Sequence, residues 1–589
     1  MDATTVRTRP ERVAIVGSGI AGLTACYLLS EAGFEVEIFE REAEIGMDAH
    51  GVSGLMASDP DCRVDVPLRV FSRTYYPNLV AMYSRLGLKI IDADYSFSCS
   101  RFNRGDDGDG DDESGARTAT TTTATKPKGE KGGGREDEGD APLFGYNRYG
   151  WLPMPQIGAY FSTGRQLSST SACASWRDTN LGLLLQLVRL LLRARAYVSC
   201  GGGVSGQAMS EVDLETFLLG KGYSKSFMRE LFFPMLSVVC TCSYESVARY
   251  PAGVALDYFA KHGVLNLPWR KTCQCRVQGG VRAVAKLLSS KAHKVWLSSD
   301  VQSIDHGEHH HHGEEEEEEN EEESGGGVEA RKAQRQRSGT RRQPVVTHTV
   351  RGCVQRSEFD HVVVATQAHH AKALLNQDRM PIGLGEALGS FKYERSRVVV
   401  HSDPRLMPQP ASSSASSSPL SSSPSSSRWC RRRWSPLNIL VSPKSSMPMC
   451  SVWMHKIDPR VDADIYQTWN PLLEPEKSGV RADASFERPV VTVHSAKGMN
   501  ALQRCQGVGG VWFVGAYALL SVPLLENGVT AAIQVSQSIG APCSWHKTQK
   551  EEGPAAAAQS CFRQSLVLAA SVATAGAAIA VVLGKRNSR

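Results

Sequence analysis

The sequence carries little net charge for its size. Lys and Arg number 66 and Asp and Glu 61, a formal +5 over 589 residues. That balance argues against nucleic acid as a main partner. No apolar leader precedes the first hydrophobic run, so the folded part is expected to face the cytosol. The 15 cysteines are thinly spread, which fits reduced thiols rather than a disulfide framework. No Ser-His-Asp arrangement, zinc signature or paired-carboxylate motif stands out, and the catalytic residues stay unknown at this level. Cys240-Thr-Cys242 and Cys273-Gln-Cys275 are spaced more tightly than zinc ligands usually are, so buried free thiols and no metal are expected. Apolar residues at 41% and charged residues at 22% are ordinary for a globular chain. They exclude a wholly disordered protein, a coiled coil and a multi-pass transporter.

Three stretches have almost nothing to bury. Residues 105–140 are Asp, Gly, Thr and Lys; 306–343 run from a His cluster through poly-Glu into Gly and Arg; 412–427 are nearly pure Ser. None can offset its ordering entropy, so each is expected to be disordered, an expansion at a loop tip. His309 to His312 lack a rigid ligand frame, and Glu314–Glu319 lack calcium-loop spacing. Both are therefore taken as solvated polar tracts.

What is present begins at Arg12. Val13-Ala14-Ile15-Val16 is a short apolar run suited to a buried parallel strand. It enters Gly17-Ser18-Gly19-Ile20-Ala21-Gly22, followed by a helical apolar face at Leu23, Ala25, Cys26, Leu28 and Leu29. A second strand, Glu35 to Phe39, ends at Glu40. The three glycines suit a tight turn, close backbone approach to a pyrophosphate, and close helix–strand packing. The helix N-terminus offers N–H groups and a positive dipole end to phosphates. Glu40 can accept from a ribose hydroxyl pair. Glycines alone are a weak signal, but the flanking strands and the acidic end point to dinucleotide binding rather than an ordinary βα turn.

From Glu40 the sequence continues Arg41-Glu42-Ala43-Glu44-Ile45-Gly46, and here it resembles the flavin-dependent amine-oxidase and carotenoid-desaturase superfamily. Gly46 is followed by Met47 where that superfamily runs a second glycine. Further segments resemble the predicted NAD/FAD-binding, amine-oxidase-like proteins within it: Phe71 to Leu79, Trp269-Arg270 with Gln278 to Val281, Val295 to Leu297, and Phe359 to Thr366. Gly510 to Ala516 followed by Leu525 to Thr530 resembles the strand, loop and helix that hold the flavin end. The resemblance implies FAD as cofactor. It implies binding positions at Gly17, Ser18, Gly19, Ile20, Ala21, Gly22, Glu40, Arg41, Gly46, Val301 (by its backbone, near adenine), Gly515, Gly528 and Val529. Arg69 is a candidate flavin-facing charge or an ion-paired arginine, and these stay even. His494 and Tyr517 are further polar candidates, more simply read as structural.

The expected fold class is α/β, a Rossmann-like FAD-binding domain on a parallel sheet with an inserted α+β substrate domain and a C-terminal transmembrane helix. FAD-binding parts are expected at 11–100, 271–305, 344–375 and 486–543. Substrate-domain parts are expected at 141–270 and 376–485, with a linker at 544–564 and the anchor at 565–584. The segment from Leu181 to Arg193 is apolar nearly all round and is read as a buried core helix in preference to a substrate tunnel or a membrane-surface helix. The uncharged stretch 565–584 is about 20 residues, enough at about 1.5 Å each to cross a hydrocarbon core. Its basic end resembles tails sent to the mitochondrial outer membrane or peroxisome.

These features lead to an expected FAD-dependent oxidoreductase, anchored in a bilayer and oxidising or desaturating an apolar, lipid-like substrate. Two other readings are carried: a flavin amine oxidase with a soluble amine substrate, and a non-catalytic, membrane-tethered protein of the same fold. Oligomeric state is left unknown.

Overall fold

The structure is a computed structural model that describes residues 9–46, 50–55, 63–103, 140–146, 180–199, 207–262, 274–307, 343–409 and 434–546. Arg12–Val16 forms the middle strand of a five-stranded sheet. The order is Val511–Phe513, His361–Val364, Arg12–Val16, Glu35–Phe39, Lys294–Trp296. Every neighbouring pair is parallel. A central parallel strand is covered on both faces, which is why Val13 to Val16 read as unbroken apolar sequence and are buried. The helices Ile20–Glu31, Gly280–Ser289 and Leu525–Ile539 pack with this sheet in one continuous core.

A second sheet has seven strands, in the order Val480–Val490, Lys392–His401, Tyr466–Trp469, Met449–Trp453, Leu437–Val441, Phe97–Arg101 and Ala141–Tyr146. Its pairs are antiparallel except Leu437–Val441 with Phe97–Arg101. It carries its own small core, including Val398, Val400, Ile439 and Val452. The helices Asn180–Ser199, Phe233–Cys240 and Ala252–His262 belong to the larger core with the parallel sheet. The first of these buries Leu183, Leu187, Leu190, Leu191 and Ala194, a stripe at helical spacing, against Ala252–His262. It is a core helix.

The fold class needs one correction. No helix among the described residues is long and apolar enough to cross a membrane. The Asn180–Ser199 helix has the length, at 20 residues, but carries Arg189, Arg193 and Arg195. The stretch 565–584 lies outside the described residues. The single-pass anchor, the bilayer as partner, the organelle assignment and the membrane-borne lipid substrate are therefore withdrawn together. Most of the three low-complexity stretches, with His309 to His312 and Glu314–Glu319, also lie outside the described residues.

Two histidines are expected to make the fold acid-sensitive. His401 is fully buried; its Nε2 lies 2.8 Å from Thr468 Oγ1 and its Nδ1 accepts from Asp403 N at 3.1 Å. His306 is buried with no partner among the described residues on either ring nitrogen. Burial pulls both down from 6.5 to about 4, with Asp403 and Asp305 opposing. A depressed histidine stabilises the fold fully above its unfolded value and loses that contribution as pH falls toward its folded value. Each contributes up to about 3 kcal/mol across that window. The urea midpoint is expected to fall between pH 6.5 and 5, and less steeply in a His306→Leu protein. A midpoint that stays flat in both proteins would contradict this.

Candidate functional site

The Gly-rich turn has the geometry of a phosphate cradle. Gly17 has φ +99°, open to glycine, and a Cβ there would sit 3.2 Å from the Ala365 carbonyl oxygen. A Cβ on Gly22 would lie 2.1 Å from the Gly17 carbonyl oxygen and 3.1 Å from Ala365 Cβ. These two glycines let the nucleotide helix lie against its strands. Gly19 differs, because a Cβ there would meet nothing within 4 Å. It is the N-cap of Ile20–Glu31, with φ −66° and ψ 176°, and no side chain caps that end. No acidic residue occupies the first turn. An uncapped helix N-terminus beside open space suits a pyrophosphate.

Glu40 closes the loop behind this turn. Its Oε2 accepts from Ser18 N at 2.9 Å and from Ser18 Oγ, and its Oε1 accepts from Glu42 N at 2.9 Å. Gly46 N donates to Ser18 Oγ at 2.6 Å, and a Cβ on Gly46 would lie 3.1 Å from that oxygen. Ser18, Glu40 and Gly46 thus form one buried cluster that fixes the turn, and Oε1 keeps room for a further donor. Arg41 is exposed, 3.6 Å from Glu42. Met47 to Ala49, where the second glycine of the resemblance is missing, lie outside the described residues.

The remaining sequence candidates fall in several places. Ile20 and Ala21 meet the closing helix Leu525–Ile539 at Gly528, where a Cβ would come within 3.0 Å of Ile20 Cγ2 and 3.5 Å of Ala21 Cβ. Gly528 is therefore small because two helices cross there, and Val529 is buried beside it. Gly515 follows the strand Val511–Phe513, and a Cβ on it would strike the Tyr517 ring at 2.7 Å. Val301 is buried in the antiparallel strand Asp300–Asp305, opposite His348. Tyr517 is buried and its hydroxyl has no partner among the described residues, while His494 is exposed.

Glu526 ties the closing helix to a second helix, Pro77–Arg85. Its two oxygens accept from Asn78 N and Leu79 N, each at 2.9 Å. Burial pushes this carboxyl above its usual range against those N–H groups, which pull it down. Glu526→Ala strips the partner from two buried donors. It is expected to cost about 3 kcal/mol, read as a lower urea midpoint with an unchanged slope. A midpoint within error of wild type would show that the bonds contribute nothing net.

The same closing helix borders a cavity of about 220 Å³. Leu524 and Leu525 line it at the helix start, Tyr258 and Phe259 from Ala252–His262, and Ile439, Val452 and Trp469 from the seven-stranded sheet. Tyr76, Arg69, Arg488, Ser96, Thr241 and Gln274 are among its polar residues. Arg69 was a sequence candidate. Arg488 was not, and one arginine within an alternating strand gives no signal. Cys240, Cys242 and Cys275 are buried free thiols, and Cys273 lies outside the described residues. His369, His370 and Glu487 cluster with metal-like spacing. Arg395 already holds Glu487 at 3.3 Å, so they read as an ion-pair network.

Residues 15–86 match the family described as NAD(P)-binding Rossmann-like domain. A zeta-carotene desaturase from Synechocystis is 37% identical over 78 residues, 13% of this chain and 15% of the desaturase. Two solved structures resemble nearly the whole chain. A fatty acid isomerase from P. acnes has a TM-score of 0.50 at 12% identity, with 90% of this chain and 98% of that one covered. Cyclohexylamine oxidase from Brevibacterium oxydans has a TM-score of 0.49 at 12% identity, with coverages of 90% and 100%. At such identities the likeness is one of fold. The chain thus holds a Rossmann-like NAD(P)-binding domain over residues 15–86, within a fold like that of the isomerase structure.

Proposed function

We propose that this protein binds FAD and is an oxidoreductase of the amine-oxidase type, taking a small organic substrate into the cavity between the seven-stranded sheet and the start of the closing helix. One observation carries the reading. The closing helix serves both halves of such a site, packing Gly528 on the nucleotide helix and lining the cavity with Leu524 and Leu525. A dinucleotide held at Gly17 to Gly22 and running along that helix has its reactive end at the cavity. The closing-helix N-terminus there favours negative charge.

The protein's share of the work is binding, orientation and exclusion of water. The Gly19 backbone and the Ile20–Glu31 N-terminus take the pyrophosphate, and the free capacity of Glu40 Oε1 takes a ribose hydroxyl. The apolar cavity wall keeps water from the reacting carbon. Bound flavin supplies the hydride acceptance. Amine oxidation is the reaction class to test first, since it is the chemistry for which the superfamily is named.

The test is anaerobic mixing of the flavin-loaded protein with a panel of small primary amines, with and without a carboxylate. Bleaching of the flavin, and peroxide release once oxygen returns, is the expected result. Protein that binds NAD in preference to FAD would overturn the reading.

A further inference from the structure

We propose that Arg69 and Arg488 form an anion-binding subsite in the cavity, which holds the carboxylate of a small substrate with an apolar body. This rests on the oxidoreductase reading above and names the substrate class for it.

The argument starts from two cations where few are tolerated. Both guanidinium groups line a cavity whose other walls are mainly aliphatic and aromatic. Neither makes a hydrogen bond or ion pair to another described residue, and Arg69 Nε is buried with no partner. Both residues are half-buried, and a guanidinium withdrawn from water without an acceptor is costly; it is retained where something else supplies the acceptor. Asp65 is the carboxylate that acts on Arg69, and its Oδ1 already accepts from Val281 N at 3.0 Å. Arg488 lies in the strand Val480–Val490. Alternation along the strand sends its neighbour Glu487 to the other face, where Glu487 meets His369 and Arg395. The contact shown for Arg488 is the Trp469 ring, 5.9 Å away.

The Arg69 charge also acts on Arg488. Burial lowers Arg488 to about 10, with Arg69 the next cause, and burial lowers Arg69 as well. A bridging anion turns that repulsion into two charge-assisted contacts, and guanidinium forks match a carboxylate. An ammonium brought into the same space would be a third cation. The cavity thus selects against a simple cationic amine and for a molecule that carries a carboxylate as well as the group to be oxidised. Tyr258, Phe259 and Trp469 supply an aromatic wall for its apolar body.

The test is calorimetric titration of the full-length protein with three probes of one shape: 3-phenylpropionate, 3-phenylpropionamide and 3-phenylpropylamine. Arg488→Met and Arg69→Met proteins are titrated alongside, and flavin content is measured by absorbance in each. The carboxylate is expected to bind at least about tenfold tighter than the amide, and the amine no tighter than the amide. Either substitution should erase that preference while flavin content is unchanged. Without ligand, Arg488→Met should melt no lower than wild type, because it removes one of two repelling charges. Equal binding of the three probes would overturn the proposal. So would a variant that keeps the carboxylate preference but releases flavin, since the pair would then serve the cofactor. Calorimetry needs no flavin, so a colourless protein that still prefers the carboxylate removes the oxidoreductase reading and leaves the anion subsite.

Discussion

A Gly19→Val protein is expected to fold with a melting temperature close to wild type and to lose its flavin. Gly19 has an extended backbone that valine adopts without strain, and a Cβ there meets no atom of the described residues within 4 Å. The only thing a valine displaces is what would lie in the cradle. At the N-cap, valine in place of glycine costs about 1 kcal/mol of helix stability, a small part of the whole. The pyrophosphate loses its approach to the backbone N–H groups altogether, so FAD affinity is expected to fall by at least about a hundredfold. Thermal melting and flavin content on the same preparation check it. A folded, yellow Gly19→Val protein would mean that the phosphates run elsewhere.

Gly22→Ala is expected to fail in the opposite way. Its Cβ would stand 2.1 Å from the Gly17 carbonyl oxygen, a backbone atom held in the turn, and 3.1 Å from Ala365 Cβ. Neither is the far end of a flexible side chain. Relief requires the nucleotide helix to lift off the central strands, where Val13 to Val16 and Leu23 to Leu29 share the main core. Overpacking of this kind costs about 3 kcal/mol or more. Expression as soluble protein should drop, and any soluble fraction should melt lower and bind less flavin. A Gly22→Ala protein as stable as wild type would show that the helix shifts freely. On this proposal one motif contains a glycine needed by the ligand and another needed by the fold, and only the first substitution separates the two.

What the sequence revealed followed from how local each signal was. The strand, turn, helix, strand and Glu40 span fewer than thirty-five residues, and every role in them is set by near neighbours. The core helix at Asn180–Ser199 was legible because its buried leucines repeat at helical spacing. Gly528 was placed at the flavin on resemblance, but its smallness is explained by Ile20, some five hundred residues earlier. Arg488 was missed because its meaning lies in Arg69 and Trp469, which reach it only after the seven-stranded sheet has gathered distant stretches of chain. The anchor was argued from length, missing charge, basic flanks and a linker-like stretch before it. With the anchor withdrawn, the lipid substrate that rested on it goes too, and the charge of the cavity becomes the better guide to substrate.

The most direct measurement is the visible absorption of full-length purified protein, before and after heat denaturation, with the supernatant analysed for FAD. The account expects flavin bands on the native protein that pass into the supernatant, about one FAD per chain, and no such bands from Gly19→Val. A colourless wild-type protein that takes up no added FAD would contradict it.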